Sequence, residues 1–146
     1  MTTYVIDANL VFSEAMNPIS EIGQFIMLAK LKNIKLIAPE YLNSEIAGHL
    51  PKLIKLSKLS ESEIHRVIEL AYEKIDFVKD ADIPLAYWVR GADLVKEVDE
   101  DDIVYLALNE LLQVELWTGD MTLFRHLVGI GYTPVLTFLE IKERHL

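Results

Sequence analysis

The strongest constraint on the fold is the alternation of short, apolar, β-rich runs with longer helical segments. Runs of this kind are typical of strands buried in a parallel sheet, and parallel strands need crossover connections, usually helices. The alternation therefore predicts an α/β fold with helices on both faces of one parallel sheet of about five strands. The predicted strands are Thr3–Ile6, Lys35–Ala38, Ile75–Val78, Val114–Thr118 and Thr133–Thr137. Residues 1–146 contain no repeat and no linker, so we expect a single domain.

Capping residues and apolar spacing place the helices between these strands. Ser20 before Glu21 is typical of a helix N-cap. Ser60 and Glu63 have the spacing of a capping box, in which each side chain accepts a hydrogen bond from the other residue's backbone N–H. The predicted helices cover Glu21–Leu31, a segment that starts near Glu40, Ser60–Tyr72, a segment that starts at Pro84, Ile103–Leu108, Met121–Val128 and Leu139–Leu146.

Three features interrupt this pattern. Pro51 is expected to break or kink the helix that starts near Glu40, because proline donates no backbone hydrogen bond. Gly91 is a candidate interruption of the helix that starts at Pro84. The segment Leu10–Pro18 is punctuated by polar residues, so we interpret it as a loop or short turn.

Composition excludes several functional classes. The chain has no cysteine, which rules out disulfides and thiolate metal sites and is compatible with a reducing cytoplasm. It shows no export signal and no apolar run of membrane-spanning length. Its net charge of −9 gives no general attraction to nucleic-acid phosphates. An acidic chain can instead bind a basic partner or gather carboxylates around a cation.

Four acidic residues are placed where they could converge. Asp7 and Asp120 each follow a predicted strand, so they should lie at the same edge of a parallel sheet, where open α/β folds bind ligands. Glu45 and Asp102 lie on adjacent helical segments that could reach that edge. Taken singly, each is explained as well by a helix cap, a turn or a solvated surface residue.

Taken together, the four acids favour a cation site. Carboxylates gathered in one place repel each other unless a cation neutralises them. Oxygen ligands without histidine or cysteine suit Mg²⁺ or Mn²⁺. Ions bound in this way serve phosphoryl chemistry, since they lower the pKa of a water molecule and stabilise charge on the phosphate.

At these positions the chain resembles the PIN domain, and its size is similar to that of the toxin ribonucleases of VapBC-type toxin–antitoxin pairs. The resemblance spans essentially the whole chain. It rests on four short motifs in order, which are Val5–Asn9, Ala38–Pro39 with Glu45, Asp99–Asp102 running into Leu106–Leu108, and Trp117–Asp120.

The resemblance implies a three-layer α/β/α fold and a metal-dependent endoribonuclease that leaves a 5′-phosphate and a 3′-hydroxyl, with Mg²⁺ or Mn²⁺ as cofactor. The implied site, catalytic and metal-binding, comprises Asp7, Glu45, Asp102 and Asp120. The implied supporting residues are Asn9, Thr118 and Asp99.

The chain departs from the family pattern at two positions. Thr122 stands where many relatives carry a further acid, which leaves one ion or two open, and Asn109 stands where a small residue is common. The net acidity and Thr122 motivate the alternative function, an inactive PIN-fold binding module. A receiver-type phospho-acceptor domain is disfavoured, because Asp7 is not followed by a second acid and Val114–Thr137 contains no lysine.

The resemblance also implies partners. We expect an RNA substrate, an antitoxin that covers the acidic groove, and a homodimer. We also expect a cytoplasmic location and no membrane among the partners. Because the chain is acidic, RNA should be held by a local basic patch. The candidates for this patch are His49, Lys52, Arg125 and His126, although each alone is explained as well by an ordinary surface position.

Overall fold

One parallel five-stranded sheet organises the chain, and the computed structural model describes all of residues 1–146. Its strands are β1 (Thr2–Ile6), β2 (Ile34–Pro39), β3 (Ile75–Val78), β4 (Glu115–Trp117) and β5 (Val135–Leu136). They lie in the order β3-β2-β1-β4-β5. The predicted α/β class, with a parallel sheet of about five strands, is confirmed.

Eight α-helices connect and cover these strands. They are α1 (Ala8–Met16), α2 (Glu21–Leu28), α3 (Tyr41–Leu56), α4 (Glu61–Glu73), α5 (Leu85–Val95), α6 (Ile103–Leu112), α7 (Met121–Gly129) and α8 (Phe138–His145). Short 3₁₀ turns occupy Lys30–Lys32, Asp80–Asp82 and Glu100–Asp102. None of the helices combines the length and the apolar character needed to cross a membrane.

The strand order distributes the helices between two layers. From β1 the chain moves outward through β2 to β3, and it then returns to the other side of β1 for β4 and β5. Because parallel crossovers are right-handed, connections that advance in opposite directions lie on opposite faces of the sheet. Helices α1 to α4 accordingly pack together, and α5 packs against α6 and α7. The result is the three-layer α/β/α arrangement.

The core lies between the sheet and these helix layers. It is one cluster of 35 buried hydrophobic residues. Trp117 of β4 is fully buried and meets the Phe25 ring of α2 edge-on, with ring centroids 5.4 Å apart. Trp88 is half-buried and donates a 3.0 Å hydrogen bond from its indole nitrogen to the Ile83 carbonyl. Both tryptophans therefore serve packing.

The structure corrects the interpretation of Leu10–Pro18 as a loop. The helix α1 begins at Ala8, directly after β1, and continues to Met16. Its buried residues include Leu10, Val11 and Ala15, together with the acid Glu14. The polar side chain of Glu14 therefore points into the protein and breaks the apolar pattern by which such a helix is recognised.

Two expected helix breaks, at Gly91 and at Pro51, do not occur. Helix α5 continues through Gly91. The glycine lets α6 approach closely, because a Cβ atom at this position would lie 2.7 Å from the Ile103 carbonyl oxygen. Helix α3 continues past Pro51 to Leu56. Helix α2 ends at Leu28, earlier than expected, and the 3₁₀ turn Lys30–Lys32 follows it.

Candidate functional site

Asp7 lies at the point where the strand order reverses. It directly follows β1, and Ile6 of β1 pairs with Trp117 of β4, so Asp7 lies beside Thr118. The Thr118 hydroxyl donates a hydrogen bond to Asp7 Oδ2, and the Gly119 N–H donates one of 3.3 Å to Oδ1. Although Asp7 occupies the N-cap position of α1, its side chain accepts no capping hydrogen bond. The Asp7 carboxylate is therefore positioned at the crevice by Thr118 and Gly119 and does not cap α1.

Burial dominates the electrostatics of Asp7, whose side chain is only 3% exposed. Burial raises the pKa of its carboxyl to about 6, while the hydrogen bonds from Thr118 and Gly119 act in the opposite direction. The charge of Asp120 raises this pKa further. The carboxylates of Asp7 and Asp120, at the ends of β1 and β4, therefore lie close enough to repel each other.

Asp120 is the N-cap of α7 and faces the same edge of the sheet. Its Oδ1 accepts a 3.1 Å hydrogen bond from the Leu123 N–H, and its own N–H donates one of 3.0 Å to Thr118 Oγ1. Thr118 thus connects the two strand-end acids, since it donates to Asp7 and accepts from Asp120. The threonine predicted as a supporting residue contacts both acids.

Asp102 lies at the start of α6 without capping it. Its Oδ2 is buried and has no hydrogen-bond partner. Burial is the largest cause that raises the pKa of this carboxyl to about 8, and the charges of Asp120 and Asp7 add to the effect. Asp99 has a different place: it is exposed, and its Oδ1 accepts a 2.9 Å hydrogen bond from the Asp101 N–H at the turn before α6.

Glu45 reaches the site from α3 and is held by a tyrosine. The Tyr105 hydroxyl donates a 2.5 Å hydrogen bond to Glu45 Oε1. Burial raises the pKa of the Glu45 carboxyl to about 7, the hydrogen bond from Tyr105 lowers it, and the charges of Asp101 and Asp7 raise it. Glu45 Oε2 is left available to other partners.

Three of the four predicted acids line one cavity of about 150 Å³. These three are Asp7, Glu45 and Asp102, whereas Asp120 lies beside the cavity and acts on it through its charge. The predicted supporting residue Asn9 also lines the cavity, but Asp99 does not. The other lining residues are Ala8, Phe12, Ile46, His49, Lys52 and Tyr105.

Sequence reasoning missed Tyr105 and Phe12. Tyr105 is fully buried and follows Asp102 by three residues, so both lie on one face of α6. The three-residue spacing from Asp102 is the sequence signal that could have placed Tyr105 at the site, where its hydroxyl donates to Glu45. Phe12 was missed because its segment was interpreted as a loop.

Two candidate basic residues line the cavity and two do not. His49 and Lys52 contribute to its wall, whereas Arg125 and His126 lie on α7 outside it. A ring nitrogen of His126 is 2.8 Å from the Leu94 carbonyl oxygen, so this histidine joins α7 to α5. Local basic character at the cavity therefore comes from α3.

The two departures from the family pattern have different surroundings. Thr122 is exposed in the first turn of α7. Asn109 is buried, and its side-chain amide donates a 2.8 Å hydrogen bond to the Tyr132 hydroxyl. Asn109 thus belongs to the packing of α6 against the loop before β5 and lines no part of the acidic cavity.

The donor set fits a hard divalent cation. The four acids offer carboxylate oxygens only, which is the chemistry that Mg²⁺ and Mn²⁺ prefer. The buried, unpartnered Oδ2 of Asp102 is an acceptor that a cation would satisfy. No group of three or more acidic, histidine or cysteine side chains is close enough together to hold a metal ion as the side chains stand. Cation binding would therefore have to draw the carboxylates closer.

Comparison with known proteins identifies the architecture. A family model described as a PIN domain matches residues 5–138, which is most of the chain. No curated protein matches the sequence significantly.

Two solved structures are similar in fold. PAE2754 from Pyrobaculum aerophilum superposes with a TM-score of 0.71 at 17% identity, covering 98% of this chain and 88% of that one. VapBC2 from Rickettsia felis, solved bound to a DNA fragment from their promoter, superposes with a TM-score of 0.66 at 12% identity, covering 93% of this chain and 98% of that one. At such identities these matches establish the fold alone.

Proposed function

This chain belongs to the PIN domain family, whose members are generally nucleases that use divalent metals, and we propose that it is a Mg²⁺- or Mn²⁺-dependent endoribonuclease. The observation that carries the proposal is the shared cavity of Asp7, Glu45 and Asp102, with Asp120 beside it. It lies at the carboxyl edge of a parallel sheet, where the strand order reverses.

The proposal gives each residue a task. Asp7, Glu45, Asp102 and Asp120 would hold the ion, which when bound lowers the pKa of a water molecule and stabilises charge on the phosphate. Thr118 and the Gly119 N–H fix Asp7, and Tyr105 fixes Glu45. One ion or two remain compatible with these four carboxylates.

The structural likeness to VapBC2 supports a biological setting. We propose that the protein is the toxin of a toxin–antitoxin pair, that it acts on RNA in the cytoplasm as a homodimer, and that an antitoxin covers the acidic cavity. The net charge of −9 suits a partner segment with basic residues.

The second candidate function is an inactive PIN-fold binding module. Two observations favour it: Thr122 replaces a common family acid, and the four carboxylates are not gathered closely enough to hold an ion as they stand. Such a module would bind a partner in EDTA as well as in Mg²⁺ and would cleave no RNA.

The test is cleavage of a structured RNA pool with Mg²⁺, with Mn²⁺ and with EDTA. The variants Asp7→Asn and Asp120→Asn should abolish metal-dependent cleavage, because each removes a charged oxygen donor. Asp93→Asn is the matched control, since Asp93 is exposed on α5 and does not line the cavity. Circular dichroism should show that all three variants are folded.

Either of two results would contradict the proposal. Cleavage that survives in both Asp7→Asn and Asp120→Asn would show that the acids are not the site. Absence of cleavage, together with no calorimetric binding of Mg²⁺ or Mn²⁺ to the wild-type protein, would favour the binding module.

A further inference from the structure

One face of α3 carries both an acid of the site and two nitrogen bases. Glu45, His49 and Lys52 are spaced by four and then three residues, so they lie on the same side of the helix, and all three line the acidic cavity. At a rise of 1.5 Å per residue, His49 lies about 6 Å and Lys52 about 10.5 Å along the helix axis from Glu45. The cavity wall therefore changes from acidic to basic along α3.

These two bases are free to meet an anion. Both side chains are exposed, and neither takes part in any of the five ion pairs of the protein. An unpaired Lys52 is notable in a chain of net charge −9, where acidic partners are abundant. Its ammonium group is available to a ligand that enters the cavity.

An aromatic ring adjoins the same wall. Phe12 of α1 lines the cavity and meets the His49 ring edge-on, with ring centroids 5.9 Å apart and ring planes at 85°. Proteins that hold single nucleic-acid strands combine cationic groups for the backbone with aromatic rings on which bases stack. Phe12, His49 and Lys52 supply both components within one wall.

We infer that Phe12, His49 and Lys52 form a subsite for the nucleotide next to the scissile bond. Lys52 pairs with a phosphate of that nucleotide, and the Phe12–His49 pair packs against its base. The inference rests on the proposed ribonuclease function and deepens it. It explains how an acidic protein holds RNA locally, since the ion neutralises the acids while α3 supplies the adjoining positive charge.

The test compares Lys52→Gln with Lys55→Gln. Lys55 lies on the same helix, is exposed and does not line the cavity, so the two variants remove the same charge at different places. Binding of a fluorescent single-stranded RNA pool is measured by polarisation over a series of salt concentrations. An Asp120→Asn background in Mg²⁺ prevents cleavage during the measurement.

The expected results differ for each variant. Lys52→Gln should weaken binding roughly fivefold and reduce the slope of log affinity against log salt by about 0.7, the value for one single-strand phosphate contact. Lys55→Gln should leave both quantities nearly unchanged. Phe12→Leu should weaken binding by roughly fivefold or more without changing the slope, because it removes stacking and no charge.

The outcomes separate this inference from the proposed function. If the wild-type protein cleaves RNA but Lys52→Gln and Lys55→Gln bind it equally well, the subsite is wrong and the nuclease stands. If the wild-type protein neither cleaves nor binds RNA, the subsite and the nuclease are both wrong.

Discussion

Glu14 is a buried acid that the proposed chemistry does not use, and it should contribute to the dependence of stability on pH. Its side chain is 0% exposed, and neither carboxyl oxygen has a hydrogen-bond partner. Burial raises the pKa of Glu14 from 4.5 to about 8, against the opposing charge of Lys74. Between these two values the folded protein holds a proton that the unfolded chain has released. Stability must therefore fall as pH rises through this window.

The magnitude follows from the two pKa values. One pKa unit corresponds to about 1.36 kcal/mol of free energy. At about pH 7.5, three units above the unfolded value, keeping Glu14 protonated costs about 4 kcal/mol of the free energy of unfolding. Below pH 4.5 the group is protonated in both states and costs nothing, and above about pH 8 the cost no longer changes.

Two variants separate ionisation from the burial of polar atoms. Glu14→Gln keeps the shape and the polar atoms but cannot ionise, whereas Glu14→Met also removes the unpaired oxygens. In urea unfolding followed by circular dichroism in EDTA, both should gain stability over the wild type by about 3 kcal/mol more near pH 7.5 than near pH 5. Glu14→Met should exceed Glu14→Gln at both values, because an unpaired buried polar group is itself destabilising.

The other titrating acids do not affect the comparison between the wild type and the Glu14 variants. Asp7, Glu45 and Asp102 are present in every variant, so their contributions cancel in the differences between variants. If the stabilities of the wild type and Glu14→Gln run parallel from pH 5 to pH 7.5, Glu14 does not carry the proton and the reasoning is refuted.

Three further predictions concern helix packing and the acidic cavity. Gly91→Ala should destabilise the fold by about 1–3 kcal/mol in thermal unfolding, since the added Cβ would meet the α6 backbone. The control Gly48→Ala should be neutral or stabilising, because open space surrounds Gly48. Tyr105→Phe should weaken Mg²⁺ affinity about tenfold by calorimetry, because Glu45 loses its hydroxyl donor; unchanged affinity would exclude this positioning role. Since the pKa of Asp102 is raised to about 8 and that of Glu45 to about 7, Mg²⁺ must displace protons from both. Its affinity should therefore rise by up to roughly a hundredfold per pH unit near pH 6, where both acids are protonated, and by up to roughly tenfold per unit between about pH 7 and pH 8. An affinity that is flat over this range would contradict the raised pKa values.

The sequence was sufficient for the elements of the sheet and for Asp7 as a strand-end acid, because both follow from local pattern. It could not place β4 beside β1, since strand order depends on contacts between segments far apart in the chain. That neighbourhood brings Thr118 next to Asp7. The resemblance to a known family supplied the expectation that Thr118 is a supporting residue, and the structure adds that it contacts Asp7.

The errors of the sequence reasoning have a common physical cause. Glu14 and Gly91 each have a local meaning that their surroundings override. A glutamate normally marks a solvated face, but Glu14 is enclosed where α1 packs against α2, α3 and α4. A glycine normally weakens a helix, but Gly91 permits close contact between α5 and α6.

Among consecutive acids, only the three-dimensional arrangement separates roles. Asp99, Asp101 and Asp102 are equivalent in a propensity argument, because all precede a helix and suit its dipole. In the structure Asp99 accepts a hydrogen bond from the Asp101 N–H, and Asp101 accepts one of 2.9 Å from the Tyr41 hydroxyl. Asp102 lines the cavity, and its Oδ2 has no hydrogen-bond partner. Unsatisfied hydrogen-bonding capacity thus distinguishes the acid that can still accept a cation from its neighbours.

Glu14 and Asp102 both have buried carboxyl oxygens without hydrogen-bond partners, but their surroundings differ. Glu14 is enclosed by packed helices and does not line the acidic cavity, so it is not placed to share an ion with the other acids. Asp102 lines a cavity together with Asp7 and Glu45, so a cation that draws these carboxylates closer could neutralise all three. Both carboxylates make the fold sensitive to pH, but access to the cavity decides which of them is available to a metal ion.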